Sequence, residues 1–100
     1  MPVLFHRLAA EEFRRARRWY RRRSPYVESR FVAAVADALH FIEATPLLAP
    51  AYQGNHRWQR VRRFPYVIYF EPIAAGTVYV YAVAHARRRP GYWLRRMTRP

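Results

Sequence analysis

Between residues 57 and 84, three β-prone stretches follow one another so closely that no crossover connection fits between them. They are Arg57–Phe64 (RWQRVRRF), Tyr66–Pro72 (YVIYFEP) and Thr77–Ala84 (TVYVYAVA), separated by Pro65 and by the turn Ala74-Ala75-Gly76. Parallel neighbours need a dozen or more connecting residues, so these strands are restricted to hairpins and this part of the sheet is antiparallel. The first stretch interleaves arginine with Trp58, Val61 and Phe64, as a strand with one wet face does. The third is nearly all apolar and reads as a central, buried strand.

The upstream half has a different period. Val3 to His6 is a short β-prone run that opens the fold. In AAEEFRRARRWYRRR, which follows, Ala9, Phe13, Ala16 and Tyr20 recur at helical spacing. Glu11 and Glu12 near its start and Arg21 to Arg23 near its end suit the helix dipole. Ser24-Pro25 reads as an N-cap followed by proline at the first helical position. It starts a second helix with a stripe of Val27, Phe31, Val35, Ala38 and Ile42, reinforced by Val32 and Leu39, that Thr45-Pro46 ends. With almost no linker, the two helices form an antiparallel hairpin. The stripe is expected to face the sheet, against Val67, Tyr69, Val78 and Val80 or their alternates. Pro46 to His56 reads as loop, and the tail HARRRPGYWLRRMTRP as irregular, with one helical turn around Tyr92 to Arg96 and Pro100 at its end. The fold class is therefore α+β, in the order β-α-α-β-β-β with a short basic C-terminal tail.

One hundred residues make one domain, spanning 1–100, and half of them are apolar. A chain of this size buries roughly 60–68% of the surface it exposes when unfolded, so its stability margin is modest. Charge sets the function class. Nineteen basic residues, all of them arginine, face six acidic ones, a net charge of +13. Such self-repulsion works against compactness, and arginine's planar fork suits phosphate and carboxylate, so the surplus points to nucleic acid or an acidic protein as partner. The absence of cysteine excludes disulfides, thiol catalysis and cysteine metal sites. His6, His40 and His56 show no metal-binding spacing, and three glycines make no phosphate loop, so neither a metal nor a cofactor is expected. MPVLFHRL turns charged too soon for a signal peptide, and no apolar run approaches the ~20 residues of a membrane span. A cytoplasmic protein without membrane contact is the expectation.

Three signatures accompany this order of elements. They are Trp19-Tyr20 late in the first helix, the run Arg63-Phe64-Pro65-Tyr66-Val67-Ile68-Tyr69, and His85-x-x-Arg88-x-Pro90-x-Tyr92-Trp93 after the last strand. Together they resemble the RelE/ParE family of type II toxin–antitoxin toxins, also described as plasmid-stabilisation proteins, and the likeness spans essentially the whole chain. The resemblance implies a helical hairpin packed on one face of a sheet. It also implies an acidic cognate antitoxin that wraps the toxin, neutralises it and forms an oligomer with it. One branch of the family cuts mRNA on the ribosome and the other poisons DNA gyrase. The cutting branch typically places an arginine directly after the tyrosine of the middle strand, where this chain has Val67. The FPY and HxxR signatures lie nearer the ParE-like side. The reading that results is a growth-inhibiting toxin that binds a macromolecular target such as gyrase. The alternatives are a metal-independent, ribosome-dependent mRNA endonuclease, and a non-toxic member that acts only in a repressor complex with its antitoxin.

The candidate residues follow from this. Cutting RNA by attack of a 2′-OH needs groups to take and give protons and cations for the phosphorane charge. If the chain is an RNase, the catalytic candidates are Arg60, Arg88, Tyr92 and His85, with Arg57, Arg62 and Arg87 as further sources of charge and Tyr92 or His85 for proton transfer. A histidine at a strand end more often hydrogen-bonds its neighbouring loop, and His85 reads first in that way. For binding a target or nucleic acid the set is Arg57, Arg60, Arg62, Arg87, Arg88 and Arg89, expected to converge, with Trp93 as a stacking surface. Tyr66, Tyr69, Tyr79 and Tyr81 read first as core and cross-strand packing. The first-helix arginines, Arg14, Arg15, Arg17, Arg18, Arg21 and Arg22, read as solvated or facing the antitoxin.

Overall fold

The computed structural model describes residues 3–74 and 76–98; Ala75 of the expected turn, and Arg99 and Pro100 of the tail, lie outside them. Strand β1 (Val3–Phe5) leads into helices α1 (Arg7–Arg23) and α2 (Pro25–Ala44). A 3-10 turn at Pro46–Leu48 precedes β2 (Ala51–Gln53), β3 (His56–Val61), β4 (Tyr66–Ala74) and β5 (Thr77–His85), and a second spans Leu94–Thr98. Among the described residues, five strands form one sheet in the order β1-β5-β4-β3-β2. Only β1 runs parallel to its neighbour, β5, because the helical hairpin supplies the crossover between them.

Local chemistry fixes the helix ends. The Ser24 side chain accepts from the Val27 amide at 3.3 Å, with Pro25 opening α2. At the start of α1 the cap is His6, whose Nδ1 accepts from the Leu8 amide at 3.0 Å. The expected stripes are the buried ones: Ala9, Ala16 and Tyr20 on α1, and Phe31, Val35, Ala38 and Ile42 on α2. They meet Val61, Ile68, Phe70, Val78, Val80 and Val83 of the sheet. Of the two faces left open for β4, the helices thus take Ile68 and Phe70. Burying each such side chain contributes about 1.5–3 kcal/mol, an upper estimate.

A bulge lets β5 serve both sheet faces. Tyr69 pairs with Ala82 while Phe70 pairs with Val80, leaving Tyr81 as the extra residue. The extra residue shifts the alternation of the strand. Val78, Val80 and Val83 therefore all face the helices, whereas Tyr81, Ala82 and Ala84 pack on the other face. There the tail closes over them, with Trp93 fully buried among Tyr52, His56, Tyr69 and Tyr81.

β4 runs to Ala74, beyond the expected Pro72, and the tail's helical turn lies at Leu94–Thr98 rather than Tyr92 to Arg96. Two further departures bear on the grooves. The first β stretch ends at Val61 rather than Phe64, because Arg62 to Pro65 form the turn into β4. In that turn Arg63 sits at φ 70° and the Phe64 amide donates to the Val61 carbonyl at 3.2 Å. The segment read as loop holds β2, which pairs with β3 at Arg57 and His56. Three residues are too few to carry an alternation pattern, so only pairing reveals this strand.

Candidate functional site

Two grooves flank the helical hairpin, and they divide the candidate residues between them. One lies between α1, the ends of β4 and β5, and the tail, and has a volume of about 370 Å³. Its lining includes Arg15, Tyr66, His85, Arg88 and Tyr92. The other, of about 410 Å³, runs between α2 and β3. It has alanines 33, 34 and 38 along α2, and Arg30, Arg60, Arg62 and Arg63 around it.

The α1–tail groove is built on Glu12. Strand β1 pairs with β5 only at residues 78 to 80, which leaves the outer edge of β5 uncovered beyond Val80. Glu12 fills the gap. Its Oε1 accepts from the Val83 amide at 2.9 Å and from Arg96 Nη1 at 3.1 Å. Its Oε2 accepts from the Tyr92 hydroxyl at 2.6 Å and from Arg96 Nη2 at 2.9 Å. Arg96 Nη1 also donates to the Tyr81 carbonyl at 2.9 Å, so side chains satisfy the Val83 amide and the Tyr81 carbonyl on that edge. The Glu12 and Arg96 side chains are only 11% and 12% exposed, which makes this a largely buried pair.

This arrangement fixes what Tyr92 can do. Burial, and then the bond to Glu12, push its hydroxyl far above the ordinary tyrosine range, and the oxygen is already donating its proton. Arg88 stacks on the ring, 3.9 Å from its centre. His85 Nδ1 accepts from the Arg87 amide at 3.1 Å and its ring meets the Tyr66 ring edge-on, which is the loop-bonding role of a strand-end histidine. Tyr66 is raised by burial first, then by Tyr20 and Glu12.

The proton-transfer candidates His85, Arg88 and Tyr92 therefore share one groove, whereas Arg60 lines the other. Arg60 pairs with Val67, and Val67 with Ala84, so it stands two strands, about 10 Å, from the end of β5. The catalytic set inferred for RNA cleavage is not assembled around one point. Arg62 and Arg87 to Arg89 do reach one end of the sheet, where the Ala86 amide donates to the Pro65 carbonyl at 2.8 Å. Arg57 does not join them. It sits at the start of β3 and donates to the Ala49 and Leu47 carbonyls at 2.7 and 3.3 Å, tying down the segment before β2. Trp93, with no exposed surface, offers no face to a base. Its indole nitrogen finds no acceptor among the described residues, so aromatic packing alone holds it.

On α1 the arginines are partly used internally. Arg17 and Arg21 both bind Glu28 of α2, at 3.1 and 2.7 Å, and Arg7 binds Glu11 at 3.0 Å. The bond from Arg21 is the main cause of Glu28 lying below the ordinary carboxylate range. Glu12 is the residue that sequence reasoning missed. The signal was present, since Glu12 falls in register with Ala9, Ala16 and Tyr20 on the buried face of α1, where a carboxylate needs a partner.

Among the described residues, no group of three or more acidic or histidine side chains could hold a metal ion. No described helix is long and apolar enough to cross a membrane. Compared with known families, residues 3–90 match one described as the ParE toxin of type II toxin-antitoxin system, parDE. No curated protein matches the chain.

Proposed function

The chain belongs to the ParE toxin family of type II toxin–antitoxin systems, and on that premise we propose that it arrests growth by binding DNA gyrase, not by cutting RNA, and is neutralised by a cognate antitoxin. The observation that carries this reading is the engagement of Tyr92. A tyrosine whose hydroxyl already donates to a buried carboxylate, with its ionisation pushed upward, is a poor proton shuttle at neutral pH. Val67 adds to it, because no cation stands at the middle-strand position from which the RNA-cutting branch supplies one. Loss of one preorganised donor to transition-state charge lowers a rate by ~10²–10³.

A binding mode of inhibition needs exposed surface, and exposed arginines support it. Arg62, Arg63, Arg87, Arg88 and Arg89 are all exposed, at one end of the sheet. The test is a supercoiling assay with purified gyrase, run with the chain alone and with the chain plus its antitoxin. Supercoiling should be inhibited by the chain and restored by the antitoxin. Unimpaired supercoiling at concentrations that arrest growing cells would remove gyrase as the target.

A further inference from the structure

Helix α1 carries more positive charge than the chain itself uses. Eight of its 17 residues are arginine. Four have internal partners: Arg7 binds Glu11, Arg17 and Arg21 bind Glu28, and Arg23 stacks on Trp19, 3.4 Å from the ring centre. The other four, Arg14, Arg15, Arg18 and Arg22, are exposed and make no ion pair among the described residues. At 3.6 residues per turn they fall within an arc of about 100°, on the side of α1 opposite the buried Ala9, Ala16 and Tyr20. Every α1 position within that arc is charged, the remaining two being Arg7 and Glu11, which neutralise each other. Like charges at i, i+4, as in Arg14, Arg18 and Arg22, disfavour a helix, and exposed side chains gain no packing to offset this.

From this we infer that the outer face of α1 docks on the phosphate backbone of duplex DNA. The dimensions agree. From Arg14 to Arg22 the helix axis rises about 12 Å, at about 1.5 Å per residue. One strand of duplex DNA presents a phosphate every ~3.4 Å of axis, so roughly three to four phosphates lie along that length, against four guanidinium groups. Arginine's fork of donors bonds phosphate oxygens bidentately, and such contacts fix position without reading sequence. Other occupants fit less well. A protein partner covers an apolar centre and keeps its charges at the rim, and this arc has no apolar position. A membrane takes up the apolar face of a helix, which α1 has already buried against the sheet. Single-stranded nucleic acid needs aromatic platforms between the cations. Trp19, the exposed aromatic ring of α1, lies outside the arc, and Arg23 covers one of its faces. The inference goes beyond the gyrase reading and is measured without gyrase, so either can fail alone.

The probe is a fluorescently labelled DNA duplex of about 20 base pairs and mixed sequence, titrated with the full chain between about 50 and 200 mM salt. Two variants are compared with wild type. One carries Arg14→Gln, Arg15→Gln, Arg18→Gln and Arg22→Gln. The other loses the same charge elsewhere, through Arg60→Gln, Arg62→Gln, Arg87→Gln and Arg89→Gln. All these positions are exposed, and a thermal melt checks that each variant folds. Each neutralised phosphate contributes about 0.9 to the slope of log affinity against log salt. The α1 variant should bind more weakly, with a slope shallower by about 3 to 4, and the other variant should stay within about 1 of wild type. Should the α1 variant not fold, the side-chain Nε–H signals of Arg14, Arg18 and Arg22 in wild type decide, and they should shift when duplex is added. Equal slopes for the two variants, unmoved signals, or no salt-dependent binding by wild type overturns docking through α1. Tighter binding of a duplex RNA, a single strand or polyglutamate, lost in the α1 variant, overturns the choice of DNA and assigns the face to that polymer.

Discussion

The sheet has two places where a strand runs on beyond its short neighbour, and the chain treats them in opposite ways. At β5, past the end of β1, Glu12 and Arg96 take up the Val83 amide and the Tyr81 carbonyl, and the tail is fastened down in the process. At β3, past the end of β2, the backbone of Arg60 is left outward, and Arg60, Arg62 and Arg63 make no ion pair among the described residues. An uncovered edge is an aggregation hazard unless it is charged, short or covered. Arginine at the second edge meets the first condition. The contrast shows that a net charge of +13 is not spread evenly in its effect. The ion pairs of Glu11, Glu12 and Glu28 neutralise arginines on the α1 side, whereas the arginines Arg60, Arg62 and Arg63 of the groove on the far side of the hairpin make no ion pair among the described residues.

The largest expected effect is at the closed edge. Glu12→Ala leaves Arg96 unpaired in a largely buried position and orphans the Val83 amide. Losing one partner of a buried pair costs about 3–5 kcal/mol, a large share of the stability of a small domain. Chemical denaturation of the variant checks it. A loss under about 1 kcal/mol would mean that the tail holds without the carboxylate.

A second, smaller effect separates the regions by pH. Burial first, then the bond to Glu71, push Tyr81 up to about 12, and burial followed by Glu12 raises Tyr92. A group with a raised folded-state pKa contributes stability that is complete below its unfolded value, near 10 for tyrosine, and is lost as pH rises through the folded value. Stability should therefore fall from about pH 10 upward, and with no lysine in the chain no side-chain ammonium shares that window. Melts between about pH 9 and 11 test this, and an unchanged midpoint would detach both tyrosines from the stability of the tail face.

The smallest effect belongs to the open edge. Arg60→Gln should change stability by less than about 0.5 kcal/mol, because Arg60 is exposed and makes no ion pair among the described residues. Equilibrium denaturation beside wild type reads this directly. A loss above about 1 kcal/mol would show that Arg60 carries an internal duty and that the edge is not free.

The fold was legible where residues repeat with a period. The stripe from Val27 to Ile42, the Ser24-Pro25 cap and the hairpins around Pro65 and Gly76 all follow from spacing and turn chemistry, and each stands in the structure. Strand β2 was not legible, since three residues give no alternation to read. Nor was the bulge at Tyr81, which arises from two sheet faces competing for one apolar run. The side-chain partners around the two grooves were not legible. Arginines could be counted from the sequence, yet the pairing of Glu12 with Arg96, 84 residues away, is a tertiary fact, as are the duty of Arg57 and the burial of Trp93. Arginine at those positions looks the same in sequence whether it bonds inward or outward.

The central claim is that the tail is fastened for structure and the toxin acts by binding. The most direct measurement is primer extension on transcripts from cells expressing wild type or Tyr92→Phe, with growth followed in parallel. The account predicts growth arrest by both forms and no codon-phased cleavage by either, Tyr92→Phe losing only the hydrogen bond to Glu12, worth about 1.5–3 kcal/mol for a charged acceptor. Codon-phased cuts in wild-type cells that vanish with Tyr92→Phe, together with the arrest, would contradict it.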